Sequence, residues 1–96
     1  MEKVERSKAN ETYLQGYIDA EYSDLVKVFG EPNDGPNSPD MDKTTCQWVL
    51  EYKKNSYCTI YDWKTPETFY SLYRWHIGGH ADDCVDIITN YFMEKL

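Results

Sequence analysis

The sequence lacks a long apolar run and is poor in positive charge. No uninterrupted apolar stretch approaches the roughly 18 residues that a membrane-spanning helix needs, so a helical membrane protein is excluded. Ten Lys and Arg residues stand against 17 Asp and Glu residues, which gives a formal net charge of -7. Such a surface repels nucleic acid and anionic lipid and attracts basic protein surfaces. We therefore expect a partner protein with a basic surface, no direct nucleic-acid contact and no membrane contact.

Recognisable catalytic motifs are also missing. The chain contains no G-x-S-x-G element, no phosphate-binding P-loop and no dinucleotide-binding glycine motif. We therefore expect a protein that is not an enzyme and needs no cofactor. Its three cysteines include no C-x-x-C pair, and the polar residues 1–11 do not resemble a secretion signal. These features predict a cytoplasmic protein with three reduced thiols.

Aromatic residues are plentiful, at 16% of the 96 residues, which is typical of a folded domain and not of a disordered chain. Residues 1–11 contain few apolar side chains and are predicted to form a flexible N-terminal arm. Residues 12–96 are long enough for one small domain. Alternating side chains over 12–18 predict a strand, and Asp19 is a candidate N-cap for a helix over 20–29. Gly30 then ends that helix.

The second half of the domain is predicted to be mostly strand. The Pro-rich and acidic segment 31–43 is typical of an exposed loop. Alternating side chains over 46–53, 57–63 and 69–77 predict three strands, and an apolar stripe over 81–92 predicts a second helix. The element order β-α-β-β-β-α favours an α+β fold, in which a four-stranded antiparallel sheet carries two helices on one face.

Acidic residues are concentrated over 19–42, where seven acids and one Lys give a net charge of -6. Such a segment either imitates a phosphate backbone and contacts a basic protein surface, or simply keeps the protein soluble. The candidate charge contacts are Glu21, Asp24, Glu31, Asp34, Asp40 and Asp42. Tyrosine and tryptophan are frequent in binding hot spots. The candidate aromatic anchors are Tyr57, Tyr61, Trp63 and Tyr73.

An alternative function is a small zinc-stapled domain. His76, His80 and Cys84 could supply three zinc ligands, with Cys46 or Cys58 as a fourth. The glycine pair between the two histidines interrupts any single helix that would bring them together, so we favour a structural role for all three residues, with Cys84 in the core. A homodimer that hides an aromatic sheet face between its subunits is a further alternative.

Several segments resemble known proteins. The helix followed by a G-x-P turn over 24–32 resembles the small α/β domains of the beta-lactamase-inhibitor-like type, which bind proteins through an antiparallel sheet. A wider resemblance, over about residues 12–95, is to a group of small phage proteins with no agreed activity. The segments that carry it are 16–18, the FGEP turn over 29–32, 47–48, TIYDWK over 59–64 and WHIGG over 75–79.

The phage resemblance implies a viral origin and brings no catalytic residues with it. Small acidic phage proteins often block host defence machinery, CRISPR effectors included. The resulting hypothesis is a non-enzymatic inhibitor that acts in the host cytoplasm and binds a nucleic-acid-handling defence complex through an acidic and aromatic surface.

Overall fold

The computed structural model describes residues 1–9, 12–33, 46–62, 72–80 and 83–96. Within them an antiparallel sheet packs against two helices, so the predicted α+β class is confirmed. The strands are β1 (Glu2–Lys3), β2 (Tyr13–Ala20), β3 (Gln47–Lys53), β4 (Ser56–Tyr61) and β5 (Tyr73–Gly79). The helices are α1 (Tyr22–Phe29) and α2 (Cys84–Lys95), and a short 3-10 helix spans Arg6–Ala9.

The described sheet has five strands, so the prediction of four was wrong. The additional strand is β1, in the segment that the sequence analysis assigned to an arm, and it pairs with β3 through Glu2–Glu51 and Lys3–Leu50. The Val4 N–H extends this pairing by donating to the Val49 carbonyl at 2.9 Å. Backbone hydrogen bonds hold β1 in place, and a strand of two residues is too short to show an apolar alternation in the sequence.

The strands lie in the order β1-β3-β4-β5-β2, so the first two strands of the chain form opposite edges of the sheet. The 3-10 helix that follows β1 contacts β3 and β4. The Lys8 ammonium lies 5.9 Å from the centroid of the Tyr57 ring, on the sheet face that is turned away from α1 and α2. We call this side the far face; it carries Tyr17, Tyr57, Thr59, Tyr61 and His76, because their strand neighbours Ile18, Cys58, Ile60 and Ile77 point into the core.

The core lies between the sheet and the two helices. Trp48 and Trp75 are fully buried there and meet edge to face, with ring centroids 5.5 Å apart. Each indole N–H has a backbone acceptor: Trp48 donates to the Gly30 carbonyl at 2.8 Å and Trp75 donates to the Ala20 carbonyl at 3.0 Å. These hydrogen bonds remove the cost of burying a polar N–H group in an apolar core.

The helices pack beside each other on the same sheet face. Leu25 of α1 and Ile88 and Phe92 of α2 enter one core cluster, and Phe29 stacks on Phe92 at 6.4 Å. The predicted helix end at Gly30 is confirmed, because its φ of 83° suits glycine and its N–H donates to the Val26 carbonyl.

The predicted start of the first helix was two residues too early. Asp19 still belongs to β2, and Glu21 occupies the N-cap position of α1. The strand continues because Asp19 pairs with Arg74 across the sheet, a long-range contact that the local sequence does not reveal.

Candidate functional site

Three aromatic rings from three adjacent strands form a row across the far face. His76 of β5 pairs with Tyr61 of β4 on one side and with Tyr17 of β2 on the other. The His76 ring stacks on Tyr61 at 5.1 Å and meets Tyr17 at 5.2 Å and 62°. We call Tyr17, His76 and Tyr61 the aromatic row. The rigid sheet holds the rings in place, so little side-chain entropy remains to be lost when they contact a partner.

The aromatic row is partly open to solvent. Tyr17 is 49% exposed, whereas Tyr61 and His76 are half-buried. Burial raises the pKa of Tyr61, with a smaller contribution from Tyr17, so its phenol stays protonated at neutral pH. The row therefore offers apolar ring surface together with the hydroxyl groups of two tyrosines, the combination that makes tyrosine effective in protein interfaces.

An ion pair lies beside the aromatic row. The Arg74 guanidinium donates to both carboxylate oxygens of Asp19, from Nε at 2.9 Å and from a terminal nitrogen at 3.3 Å. The hydrogen bond from Arg74 lowers the pKa of Asp19, so this carboxylate stays ionised over a wider pH range. The charges of Asp19 and Arg74 cancel, and the row has no net charge on this flank.

Two small residues border the row on its other side. Thr59 of β4 pairs with Gly78 of β5, and Thr59 is almost fully buried. Its hydroxyl has no hydrogen-bond partner among the described residues. A Cβ atom on Gly78 would lie only 2.5 Å from the Thr59 hydroxyl oxygen. The glycine therefore leaves the room that Thr59 occupies.

The predicted aromatic anchors are divided between the two faces of the sheet. Tyr57 and Tyr61 lie on the far face, where Tyr57 also meets His80 at 6.1 Å. Tyr73 points to the helix side instead, with its ring edge-to-face against Trp75 at 5.2 Å. Trp63 lies outside the described residues. The structure thus brings Tyr61 into the aromatic row and places Tyr73 against the core.

The three predicted charge contacts that the structure describes, Glu21, Asp24 and Glu31, do not border the aromatic row. Glu21 and Asp24 occupy the start of α1, and Glu31 follows the end of this helix. Helix α1 covers the face of the sheet opposite the row, so these acids and the row lie on different sides of the molecule. Asp34, Asp40 and Asp42 lie outside the described residues.

The prediction that all three cysteines are reduced was wrong. Cys58 of β4 and Cys84 of α2 form a disulfide bond, with their Cα atoms 5.7 Å apart. Cys46 is the free cysteine and is fully buried. Burial raises the pKa of Cys46 to about 12, and the nearby charge of Asp62 adds to this effect. Its thiol is therefore held in the unreactive, protonated form.

The three candidate zinc ligands are not gathered at one point. Cys84 is bonded to Cys58 at the helix side of the sheet, His76 lies in the aromatic row, and His80 contacts Tyr57. Within the described ranges, no group of three or more His, Cys, Asp or Glu residues is placed to hold a metal ion.

The sequence did not predict an open groove of mixed charge near the N-terminus. Lys3, Lys8 and Lys54 line this groove of about 710 Å³, together with Tyr57 and the acids Glu5 and Glu51. One of these ammonium groups, that of Lys3, also donates to the Glu31 carbonyl at 2.7 Å. The sequence could not indicate this groove, because the lysines come from the N-terminal segment and from the β3–β4 turn.

Comparisons of the chain with protein-family models, curated proteins and solved structures found no match. None of the described helices is both long and apolar enough to span a membrane. The functional argument therefore rests on the far face itself.

Proposed function

We propose that this protein is a non-enzymatic inhibitor that binds another protein through the far face of its sheet. The observation that carries the proposal is the aromatic row, in which Tyr17 is half-exposed beside His76 and Tyr61. Tyrosine rings that are held in place supply much contact area at a small entropic cost, and they are frequent in the centres of protein interfaces.

The charge of the molecule supports a basic partner. The net charge of -7 attracts a positively charged surface over distances near the Debye length, about 8 Å at physiological salt. Glu21, Asp24 and Glu31 lie on the helix side, so in this proposal they accelerate the encounter instead of contacting the same surface as the aromatic row. Charges of this kind act mainly on the association rate.

The proposed partner class is a nucleic-acid-handling defence complex of a bacterial host, such as a CRISPR effector. Two considerations favour it: the proposed resemblance of the sequence to small phage proteins, and the strong negative charge of the protein. A channel that binds nucleic acid is lined by Lys and Arg, and an acidic protein competes for such a channel. In this proposal the protein acts in the host cytoplasm, where the full burial of Cys58 and Cys84 protects their disulfide bond from thiol reductants.

The proposal is tested by capture from a bacterial host lysate, followed by binding and inhibition measurements with the purified partner. We expect Tyr17→Ser and Tyr61→Ser each to weaken binding about 10-fold or more, as expected for aromatic hot-spot residues. Met93→Ser is the matched control, because Met93 is 71% exposed on α2. Circular dichroism and thermal unfolding establish that each variant is folded.

Three results would contradict the proposal. Equal binding by the tyrosine variants and the Met93 control would show that the far face is not the interface. A captured partner whose activity is unaffected would show that the protein is not an inhibitor. Failure to capture any protein at either low or high salt would contradict the binding function as a whole.

A further inference from the structure

A groove of about 710 Å³ lies where the N-terminal segment meets the turn between β3 and β4. We call it the N-terminal groove. Three lysines, Lys3, Lys8 and Lys54, contribute to its lining. A volume of this size is typical of sites that bind small molecules. The interface proposed above depends on Tyr17 and Tyr61, which do not line the groove, so it gives the groove no role.

Positive charge is concentrated in the two segments that line the groove. All of its lining residues come from 1–8 and 51–57. These segments contain five Lys or Arg residues and three Glu residues, which gives them a net charge of +2, so the remainder of the chain carries -9. The groove therefore lies in a basic region of an acidic molecule, where the surface repels an anion least.

Two of the three ammonium groups are available to a ligand. Within the described ranges 1–9, 12–33, 46–62, 72–80 and 83–96, neither Lys8 nor Lys54 forms an ion pair with a carboxylate. The Lys8 ammonium instead lies 5.9 Å from the centroid of the Tyr57 ring. Each lysine offers a positive charge and three N–H donors, and lysine is a common ligand of phosphate groups in proteins.

The two acids of the groove are hydrogen-bonded within their own segments. Glu51 accepts from the Asn55 N–H at 3.2 Å, and Glu5 accepts from the Ser7 hydroxyl at 3.4 Å. The first bond holds the turn that carries Lys54, in which Asn55 has a positive φ of 61°. Three lysines and two acids give the lining a net charge of +1. A ligand therefore needs several negative charges to be attracted appreciably.

We propose that the N-terminal groove binds a small phosphorylated ligand, either a nucleotide or an inorganic polyphosphate. Lys8 and Lys54 donate to the phosphate oxygens. Lys3 adds a third positive charge while one of its N–H groups donates to the Glu31 carbonyl at 2.7 Å. Phosphate groups combine high negative charge with several acceptor oxygens, so they can meet more than one ammonium group at once. The Tyr57 ring in the lining offers an apolar surface to the base of a nucleotide.

The groove and the aromatic row are separate sites. Tyr57 lines the groove and Tyr61 belongs to the row, and their separation of four residues along β4 corresponds to about 13 Å. A ligand in the groove therefore leaves the row accessible. The proposed inhibitor function does not require this ligand, and the test of ligand binding needs no partner protein, so either proposal can fail without the other.

Titration of the purified protein with ATP and with inorganic triphosphate, followed by amide chemical shifts, tests the proposal. At low ionic strength and without divalent cations, we expect saturable binding with a Kd of about 0.1–1 mM. Added salt should weaken it, because the lysines are exposed to solvent. The largest shifts should occur at the amides of Lys8, Lys54 and Tyr57. Tighter binding of ATP than of triphosphate would assign the groove to a nucleotide, and equal binding would assign it to an inorganic polyphosphate.

Charge variants of the groove should change the affinity in opposite directions. Lys8→Gln and Lys54→Gln should each raise the Kd for ATP about 3-fold or more, because each removes an attractive charge. Glu5→Gln should lower the Kd about 2-fold or more, because it removes a repulsive charge. Lys27→Gln is the matched control: it removes the same charge from the exposed surface of α1 and should change the Kd by less than about 1.5-fold. Circular dichroism establishes that each variant is folded.

Any of four results would overturn the proposal. The first is the absence of saturable binding of either probe up to about 10 mM. The second is a set of shifts confined to surface outside the groove. The third is binding of ATP by Lys8→Gln and Lys54→Gln with the affinity of the Lys27→Gln control. The fourth is an equal affinity for citrate, a tricarboxylate, which would show that the groove does not prefer phosphate.

Discussion

Cys58 and Gly79 lie opposite each other on neighbouring strands, and the absent side chain of Gly79 leaves the space that the Cys58–Cys84 disulfide occupies. A Cβ atom on Gly79 would collide with the Cys84 sulfur. The bond connects the central strand β4 to the first residue of α2, and both cysteines are fully buried. The packing of the second helix on the sheet therefore depends on a cross-link and a glycine that face each other.

Removal of this disulfide should lower the free energy of unfolding by about 2–4 kcal/mol, because the bond restricts the unfolded chain. The two cysteines are 26 residues apart in the sequence. Urea unfolding with and without reductant measures the change. A Cys58→Ala/Cys84→Ala variant is the control, and its stability should not respond to reductant.

Thiol counting in denaturant without reductant should find one reactive cysteine per chain, namely Cys46. Three reactive cysteines per chain would contradict the disulfide bond.

Substitution of Gly79→Ala should destabilise the protein by about 1–3 kcal/mol, as expected when a methyl group is forced into a filled site. The physical cause is the contact between the new Cβ atom and the Cys84 sulfur. Thermal and urea unfolding measure the loss. The loss should be smaller in the Cys58→Ala/Cys84→Ala background, where the sulfur is absent. An equal loss in both backgrounds would show that another neighbour causes the clash, such as the Tyr57 carbonyl, which would lie 3.2 Å from the new atom.

Substitution of Thr59→Val should leave the stability unchanged or raise it by about 1 kcal/mol. The two side chains have nearly the same shape, and the buried Thr59 hydroxyl has no hydrogen-bond partner among the described residues. Replacing an unsatisfied buried hydroxyl by a methyl group removes its desolvation cost. The comparison variant Thr59→Ala should be less stable than Thr59→Val by about 2 kcal/mol, because alanine lacks both buried γ-methyl groups of valine. A loss of more than about 1 kcal/mol for Thr59→Val would reveal a satisfied hydroxyl.

Stability should decrease in alkaline solution, in part because of Cys46. Burial raises the pKa of its thiol from 9.0 to about 12, so the unfolded chain loses this proton at lower pH than the folded protein. The contribution is fully present below pH 9 and is lost as the pH rises towards 12. Burial also raises the pKa of Tyr22 and Tyr61, which act in the same direction.

Urea unfolding between pH 8 and pH 11 measures this dependence, and Cys46→Ala is the comparison variant. The variant should be less stable at pH 8 because it loses buried volume, but its stability should fall less steeply with pH. Identical slopes for the two proteins would exclude Cys46 as a source of the alkaline loss.

Local periodicity was enough to predict most of the elements. The apolar spacing that predicted the first helix places Leu25 in the core and Val26 against it. The alternation that predicted the strand at β3 places Trp48 and Leu50 in the core between the sheet and the helices. Both patterns depend on neighbours within one element, and those neighbours are visible in the sequence.

The parts that were missed depend on how elements are arranged relative to one another. β1 is held by backbone pairing with Leu50 and Glu51, which leaves no side-chain pattern to detect. The aromatic row depends on the register that places His76 between Tyr17 and Tyr61, and alternation within a strand does not determine register between strands. The disulfide likewise depends on where α2 crosses the sheet.

The strand order has a consequence for synthesis on the ribosome. β1 pairs with β3, and β2 pairs with β5, so the first two strands emerge from the ribosome long before their partners. The hydrogen bond from the Trp75 indole to the Ala20 carbonyl joins residues that are 55 positions apart in the sequence. Among the described elements, the β3–β4 hairpin is the strand pairing that a nascent chain can complete locally. The protein should therefore acquire its structure late and in a single step, at the millisecond-to-second pace of non-local β topologies. Until then, β2 and its exposed tyrosines are accessible to chaperones.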